Sequence, residues 1–309
     1  MSASTTSRRG RALLTLVLAA APLAWVGLAS PADAVLPATP TLSLVRTIGT
    51  SPFPGSSVAT RDNEGSAYVP RDGSFWIADD DADALHEVDI STGALRRTIS
   101  GSVFSAVRQL GGGSAAGPDR VQDFESVAYD EATDTLYVFS GSCCSASVLP
   151  AVFRLTRSGG QLQPDSFQPL PASDFTAAAW NPADGKVYVG ISGQLRTYDY
   201  PTNTAGATFG ISGVSGILGM DFTADGRDLF IARSGTTITR VSWASRQVVP
   251  GWSFDVSSFG LLDTRAVEVV ADQLWVSDGY DARGSGDPLA HAVFVIDVGA
   301  NPAPPPPTP

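Results

Sequence analysis

Residues 66–77 read SAYVPRDGSFWI, in which two short apolar strands carrying aromatic side chains flank a turn at Asp72-Gly73. Glycine tolerates the positive φ that tight hairpin turns require, so this stretch predicts a β-hairpin. The unit recurs four more times, and the last residues of its five first strands are Tyr68, Tyr129, Trp180, Phe222 and Val269. Recurrence every 42 to 61 residues suits a four-stranded propeller blade with loops of variable length.

Each unit continues into a third strand and the first four into a fourth, whereas the fifth runs into a proline-rich tail. The N-terminal stretch Leu44–Ile48 (LVRTI) matches the fourth strand of the first unit, Leu95–Ile99 (LRRTI), at four of five positions. A strand there would complete the last blade and protect its edge. The sequence therefore predicts an all-β, five-bladed β-propeller closed by its N-terminal strand. Six blades is the alternative if residues 101–122 form a degenerate blade.

The N-terminus has the pattern of a signal peptide, in which Arg8 and Arg9 precede a long apolar stretch and Ala32-Asp33-Ala34 supplies a small-x-small cleavage site. A membrane anchor is the alternative, because the apolar stretch approaches the ~20 residues that cross a bilayer. The prolines that follow favour cleavage, so we predict a secreted protein with no membrane span in the mature chain. The Arg, Ala, Gly and Pro bias of the composition is typical of a GC-rich bacterial genome. The predicted segments are a leader at 1–34, a propeller domain at 35–300 and an extended, Pro-rich tail at 301–309.

The charge of the chain restricts its partners. A net charge of −11 argues against nucleic acid, since phosphate neutralisation needs clustered lysine and arginine. The same balance suits solubility and the binding of cations. The charge therefore predicts no nucleic-acid partner. We also predict a monomer with an unidentified extracellular ligand.

Several carboxylates are predicted on one face of the propeller. Glu64 and Glu125 each lie four residues before the last residue of a first strand, and Asp79-Asp80 follows the second strand of the first blade. Neighbouring carboxylates repel each other unless a proton or a cation lies between them, and oxygen-rich surroundings favour Ca²⁺. We predict Glu64, Glu125, Asp79 and Asp80 as metal ligands and Ca²⁺ as the cofactor; ordinary solvated rim carboxylates are the alternative.

Cys143 and Cys144 are the only cysteines and lie in the predicted loop between the second and third strands of blade 2. Cysteines of exported proteins usually form disulfides, and a bridge between adjacent residues would stiffen this loop. The alternatives are two unreactive free thiols or an intermolecular disulfide.

The sequence contains no complete catalytic motif that we can assign. Gly213-Val214-Ser215-Gly216-Ile217 departs from the Gly-x-Ser-x-Gly nucleophile elbow at its last position, and neither a His-Glu-x-x-His motif nor a P-loop occurs. The two histidines, His86 and His291, lie in or beside predicted third strands. Catalytic residues therefore stay unassigned, and whether the protein is an enzyme stays open.

The stretches Asn63–Tyr68 (NEGSAY) and Asp123–Tyr129 (DFESVAY) resemble the first strands of the SdiA-regulated and esterase-like-phytase propellers. The following strands, Phe75–Asp80 and Leu85–Asp89, are similar to the second and third strands of that group. The pattern is shared more loosely with NHL repeats and with gluconolactonase-type calcium propellers. The resemblance to this last group implies an axial calcium ligand at Glu64.

Three functions compete. The first is a secreted binding or scaffold propeller, stabilised by calcium, with its ligand site on the acidic face. The alternative is a calcium-dependent hydrolase of a lactone, ester or phosphoester, which the Glu64/Glu125 pair and the resemblance favour. A quinone-dependent oxidoreductase ranks last, because only the adjacent cysteines suggest it.

Overall fold

The computed structural model describes residues 36–37, 39–111, 121–141, 149–170, 175–279 and 287–299. The described chain forms five antiparallel sheets of four strands each, which confirms the predicted five-bladed propeller. The predicted leader at 1–34 and the predicted tail at 301–309 lie outside the described residues. No helix of the described part is both long and apolar enough to cross a membrane.

The strands of each blade follow one another in the chain. Blade 1 contains β2 (Asn63–Val69), β3 (Ser74–Asp79), β4 (Ala84–Asp89) and β5 (Leu95–Ser100). Blade 2 contains β6 (Phe124–Asp130), β7 (Thr135–Ser140), β8 (Ala151–Ser158) and β9 (Gln161–Pro169). Blade 3 contains β10 (Ala177–Asn181), β11 (Lys186–Ile191), β12 (Gln194–Asp199) and β13 (Thr204–Ala205). Blade 4 contains β14 (Ile217–Phe222), β15 (Asp228–Arg233), β16 (Thr237–Ser242) and β17 (Gln247–Asp255). Blade 5 contains β18 (Thr264–Val270), β19 (Gln273–Asp278), β20 (Val293–Asp297) and β1 (Ser43–Ile48).

The N-terminal strand closes the ring as predicted. β1 pairs antiparallel with β20, with Ile48 opposite Val293. The guanidinium carbon of Arg46 lies 5.2 Å from the ring centroid of Trp275, and Arg97 of β5 lies 4.9 Å from that of Trp76. Both tryptophans lie in second strands, so the matching sequences of β1 and β5 also make matching contacts.

Aromatic and aliphatic side chains fill the space between neighbouring blades. Phe75 of blade 1 packs on Trp275 of blade 5, with ring centroids 5.3 Å apart. Tyr188 of blade 3 packs on Phe222 of blade 4 at 5.6 Å. These side chains alternate along their strands with residues that face the other neighbour, so burial of apolar area on both faces of each sheet holds the ring together.

The insertion between blades 1 and 2 forms a helix rather than a sixth blade. Helix α1 (Gly101–Leu110) buries Phe104 against Phe124 and Phe153, at ring-centroid distances of 4.9 and 5.1 Å. Phe104 therefore anchors the helix in the apolar core that blades 1 and 2 share. The six-blade alternative does not apply.

Candidate functional site

The five first strands contact one another in a ring around the propeller axis. Their backbones approach so closely that a Cβ atom at Gly65 would lie 2.5 Å from the Cα atom of Ser126 in the next blade. Only glycine fits at position 65, because there is no room for a Cβ atom. We call the end of the axis where the first strands begin the axial mouth.

A bulge at the start of the first strand positions the side chains of the axial mouth. In four blades the pairing of first and second strands skips one residue: Glu64, Glu125, Leu218 and Arg265. A bulge places two residues opposite one and re-aims the extra side chain. Thr176, just before β10, holds the corresponding place in blade 3. The repeat thus brings Glu64 and Glu125 to equivalent positions in neighbouring blades, as the sequence predicts.

Glu64 is ion-paired across the seam that closes the ring. Its carboxylate lies 3.0 Å from Arg265 Nη1, and the side chains are 12% and 21% exposed. The pKa of Glu64 is raised to about 7: burial is the largest cause, the charge of Arg265 lowers the pKa, and Asp62, hydrogen-bonded to Glu64, raises it. Arg265 also donates to Asp263 at 3.0 Å, so one guanidinium serves two carboxylates. Glu64 can therefore take up a proton near neutral pH.

Asp80 and Asp123 form a second carboxyl pair at the axial mouth. Their side chains are hydrogen-bonded to each other although they belong to different blades. Burial, followed by the charges of Asp123, Glu64 and Asp62, raises the pKa of Asp80 to about 8. Two carboxyl groups in hydrogen-bond contact need a shared proton or a cation. This pair holds a proton at neutral pH.

Glu125 lies beside the second pair. A Cβ atom at Gly141 would lie 2.2 Å from Asp123 Oδ2 and 2.8 Å from Glu125 Oε1. Both carboxylates of blade 2 therefore converge on the space that this glycine leaves open. Glu64, Asp80 and Glu125 from the predicted set are thus near one another, joined by Asp62 and Asp123.

Asp79 has a structural role instead. It is fully buried, and its oxygens accept hydrogen bonds from the backbone N–H groups of Arg61, Asp62 and Ala82 at 3.1 to 3.2 Å and lie 3.1 Å from His86 Nε2. Asp278 makes the matching contacts in blade 5, with two backbone N–H groups at 2.9 Å. The Asp79 oxygens are used to hold the loop that leads into β2, so we leave this residue out of the proposed site.

Three residues of the axial mouth are not among the residues predicted from the sequence: Asp62, Asp123 and Arg265. Arg265 lies four residues before Val269, so extending the count that identifies Glu64 and Glu125 to the fifth unit would have found it. Asp123 precedes Glu125 by two residues, as Asp62 precedes Glu64. This repeated spacing would have identified both aspartates. Cys143, Cys144 and the loop at 280–286 lie outside the described residues. The vicinal disulfide stays a prediction.

The calcium site predicted at Glu64, Glu125, Asp79 and Asp80 stays a prediction. Calcium takes six to eight oxygen ligands. Across the described ranges, no three His, Cys, Asp or Glu side chains converge closely enough to hold a metal ion. The carboxyl groups are instead arranged as pairs, one of them already in contact with Arg265.

No protein-family model and no curated protein matches the sequence. Among solved structures, glutaminyl cyclase from Myxococcus xanthus is similar, with 10% identity over 84% of this chain and 97% of that chain and a TM-score of 0.55. The PQQ-bound form of aldose sugar dehydrogenase from Streptomyces coelicolor shows 14% identity over 85% and 99%, with a TM-score of 0.48. Hydrazine synthase from Kuenenia stuttgartiensis shows 16% identity over 72% of this chain and a TM-score of 0.42, and the chain spans 58% of its length. Likeness at such identities shows the fold alone: the chain is a five-bladed β-propeller whose axial mouth is rich in paired carboxyl groups.

Proposed function

We propose that the chain is a secreted binding propeller whose axial mouth takes the cationic group of an extracellular ligand. The observation that supports this most is the Asp80–Asp123 pair, in which two blades bring carboxyl groups into hydrogen-bond contact. Glu125 adjoins this pair and the Asp62–Glu64 pair lies near it. Export rests on the leader pattern at 1–34 and stays part of the proposal.

The carboxyl pairs of the axial mouth are energetically unfavourable in their fully ionised form without a bound cation. A carboxyl group whose pKa is near 8 must be protonated at neutral pH, because ionising it would place a second negative charge beside the first. An ammonium or guanidinium group entering the mouth would displace that proton and donate hydrogen bonds to both carboxylates. Ligand binding would thus relieve the repulsion that the ring imposes.

An organic cation suits this arrangement better than calcium does. An ammonium group needs two or three acceptors, which a carboxyl pair offers, whereas calcium needs six to eight. Arg265 already neutralises part of the negative charge of Glu64, so the attraction of Glu64 for a metal ion is weaker. This pairing favours binding over calcium-dependent hydrolysis. Calcium and the SdiA-regulated type stay predictions from the sequence.

Calorimetric titration at pH 8 tests the proposal, with putrescine as the ammonium probe, agmatine as the guanidinium probe and calcium chloride as the metal probe. We expect an organic cation to bind the wild type and to bind at least about tenfold more weakly to the double variant Asp80→Asn/Asp123→Asn, a loss of about 1.4 kcal/mol. The control is Glu131→Gln, which removes an exposed carboxylate from a turn between β6 and β7. If calcium bound and neither organic cation did, the proposal of an organic-cation ligand would be wrong. Binding of none of the probes would refute a cation site altogether.

A further inference from the structure

Two acidic residues lie deeper in the ring than the axial mouth. Asp221 of β14 and Glu268 of β18 hold the same place in their first strands, one residue before Phe222 and Val269. The other three blades have alanine there: Ala67, Ala128 and Ala179. Glu268 is 5% exposed, and the two carboxyl groups are hydrogen-bonded to each other. A small apolar residue suffices at this position in three blades, so the acids at the remaining two serve another purpose.

Each acid bonds to the first strand of the following blade. Asp221 Oδ2 accepts the backbone N–H of Val269 in blade 5 at 2.8 Å, and Oδ1 accepts that of Phe222 at 2.8 Å. Glu268 Oε2 accepts the backbone N–H of Tyr68 in blade 1 at 3.1 Å, and Oε1 accepts the Ser66 hydroxyl at 3.2 Å. The two carboxyl groups therefore link blade 4 to blade 5 and blade 5 to blade 1. Blade 5 is the blade that contains both chain ends.

We propose that Asp221 and Glu268 form a proton-dependent latch that ties the closing blade to both of its neighbours. One proton shared between the carboxyl groups leaves a single negative charge, which the hydroxyl and the three backbone N–H donors stabilise. Removing that proton places two carboxylates in contact at a site where Glu268 is only 5% exposed, so their repulsion is strong. The latch then loosens, and the N–H groups of Tyr68 and Val269 lose acceptors.

Among the described residues, the groups around the latch supply no counter-charge at its level. β2 brings Ser66 and Tyr68, while its Glu64 lies at the axial mouth, paired with Arg265 of β18. β10 contains no titratable residue. The charged groups at the ends of the other neighbouring strands are occupied elsewhere: Asp228 with Arg240, Arg233 with Ser215 and Asp278 with Leu262 and Asp263.

The direction of the pH response follows from this burial. Burial raises the pKa of Asp221 from 3.8 to about 7 and raises the pKa of Glu268 well above its ordinary value. The folded protein therefore holds a proton that the unfolded chain has lost above pH 3.8. The stability that this proton gives is full below that pH, declines as the pH rises and is gone above about pH 7. The latch does not depend on the proposed ligand.

Thermal melting between pH 5 and pH 9 tests the latch. In Asp221→Asn the amide donates to Glu268 and accepts from Val269 at every pH, while the N–H of Phe222 loses its acceptor at every pH. We therefore expect a flatter curve of Tm against pH than that of the wild type and, at pH 8, a higher Tm relative to the wild type than at pH 5. Asp221→Ala has no such donor or acceptor, and we expect its Tm to be below that of Asp221→Asn throughout. Glu131→Gln, the exposed control, should follow the wild type.

Hydrogen exchange of backbone amides in the wild type tests the latch without relying on the stability of a variant. In the wild type, we expect the protection factors of Tyr68 and Val269 to fall between pH 6 and pH 8.5, while those of β7 stay constant. Glu268→Gln should abolish the fall. The same pH slope of Tm in Asp221→Asn and the wild type, or constant protection of both amides, would overturn the proposal.

Discussion

Replacing Arg265 by glutamine should uncover the electrostatic cost of the axial mouth. The guanidinium lies 3.0 Å from Glu64 and 3.0 Å from Asp263, with a side chain that is 21% exposed. Exposed ion pairs contribute up to about 1 kcal/mol, and breaking a buried one costs about 3–5 kcal/mol. The pair lies between these limits, so we expect Arg265→Gln to lower the free energy of unfolding by about 2 kcal/mol where Glu64 is ionised.

The pH at which the loss appears follows from Glu64. Arg265 stabilises only the ionised form, and the pKa of Glu64 is about 7 in the folded protein. The contribution of the pair is therefore present above pH 7 and is lost as the pH falls through 7. At pH 5.5 Glu64 is protonated, and its coupling to Arg265 should be close to zero.

A double-mutant cycle measures this coupling by urea unfolding at pH 8.5 and pH 5.5. The cycle compares the wild type with Arg265→Gln, Glu64→Gln and the double variant, so that effects of each substitution on other contacts cancel. We expect a coupling energy of about 2 kcal/mol at the higher pH alone. Equal coupling at both pH values, or none at either, would refute the assignment of Glu64 as a group that titrates near neutrality.

Two further substitutions test the site and the closure. Gly141→Ala would place a methyl group 2.2 Å from Asp123 Oδ2, so we expect it to weaken cation binding in calorimetric titration, whereas Gly210→Ala, which meets nothing within 4 Å, should not. If Gly141→Ala bound the cation with unchanged affinity, the cation would not occupy the space beside Gly141. Arg46→Ala removes a guanidinium stacked on Trp275 and bonded to the carbonyls of Ile90 and Ser91, and we expect it to lower the free energy of unfolding by about 1–2 kcal/mol. Val45→Ala, at a side chain 49% exposed in the same strand, should change it by less than about 0.5 kcal/mol; equal effects of the two in urea unfolding would show that Arg46 does not help to close the ring.

The fold could be predicted from the sequence because the information is local and recurs. Each hairpin has its own turn, and the displaced strand Leu44–Ile48 has its counterpart in Leu95–Ile99. Helix α1 does not follow from the repeat, which leaves residues 101–122 as an insertion or a degenerate blade. Its packing of Phe104 on Phe124 and Phe153 depends on two other segments of the chain.

The site could be predicted only in part. Repeat equivalence placed Glu64 and Glu125 correctly relative to each other, since both occupy the same bulge. It could not show that Glu64 meets Arg265, 201 residues away, because that contact exists only once the ring is closed. Nor could it separate Asp79 from Asp80: the side chains of adjacent strand-end residues point to opposite sides, and the first is used up by backbone donors.

The most direct test of cation binding at the axial mouth is a count of the protons released when a cation binds. Calorimetric titration of the wild type with putrescine at pH 7, in two buffers that differ in ionisation enthalpy, gives this number. Because the pKa of Asp80 is about 8 without a ligand, we predict the release of roughly one proton per cation bound, and no such release in Asp80→Asn/Asp123→Asn. Binding without proton release, or the same release from the double variant, would contradict the assignment of the Asp80–Asp123 pair as the cation site.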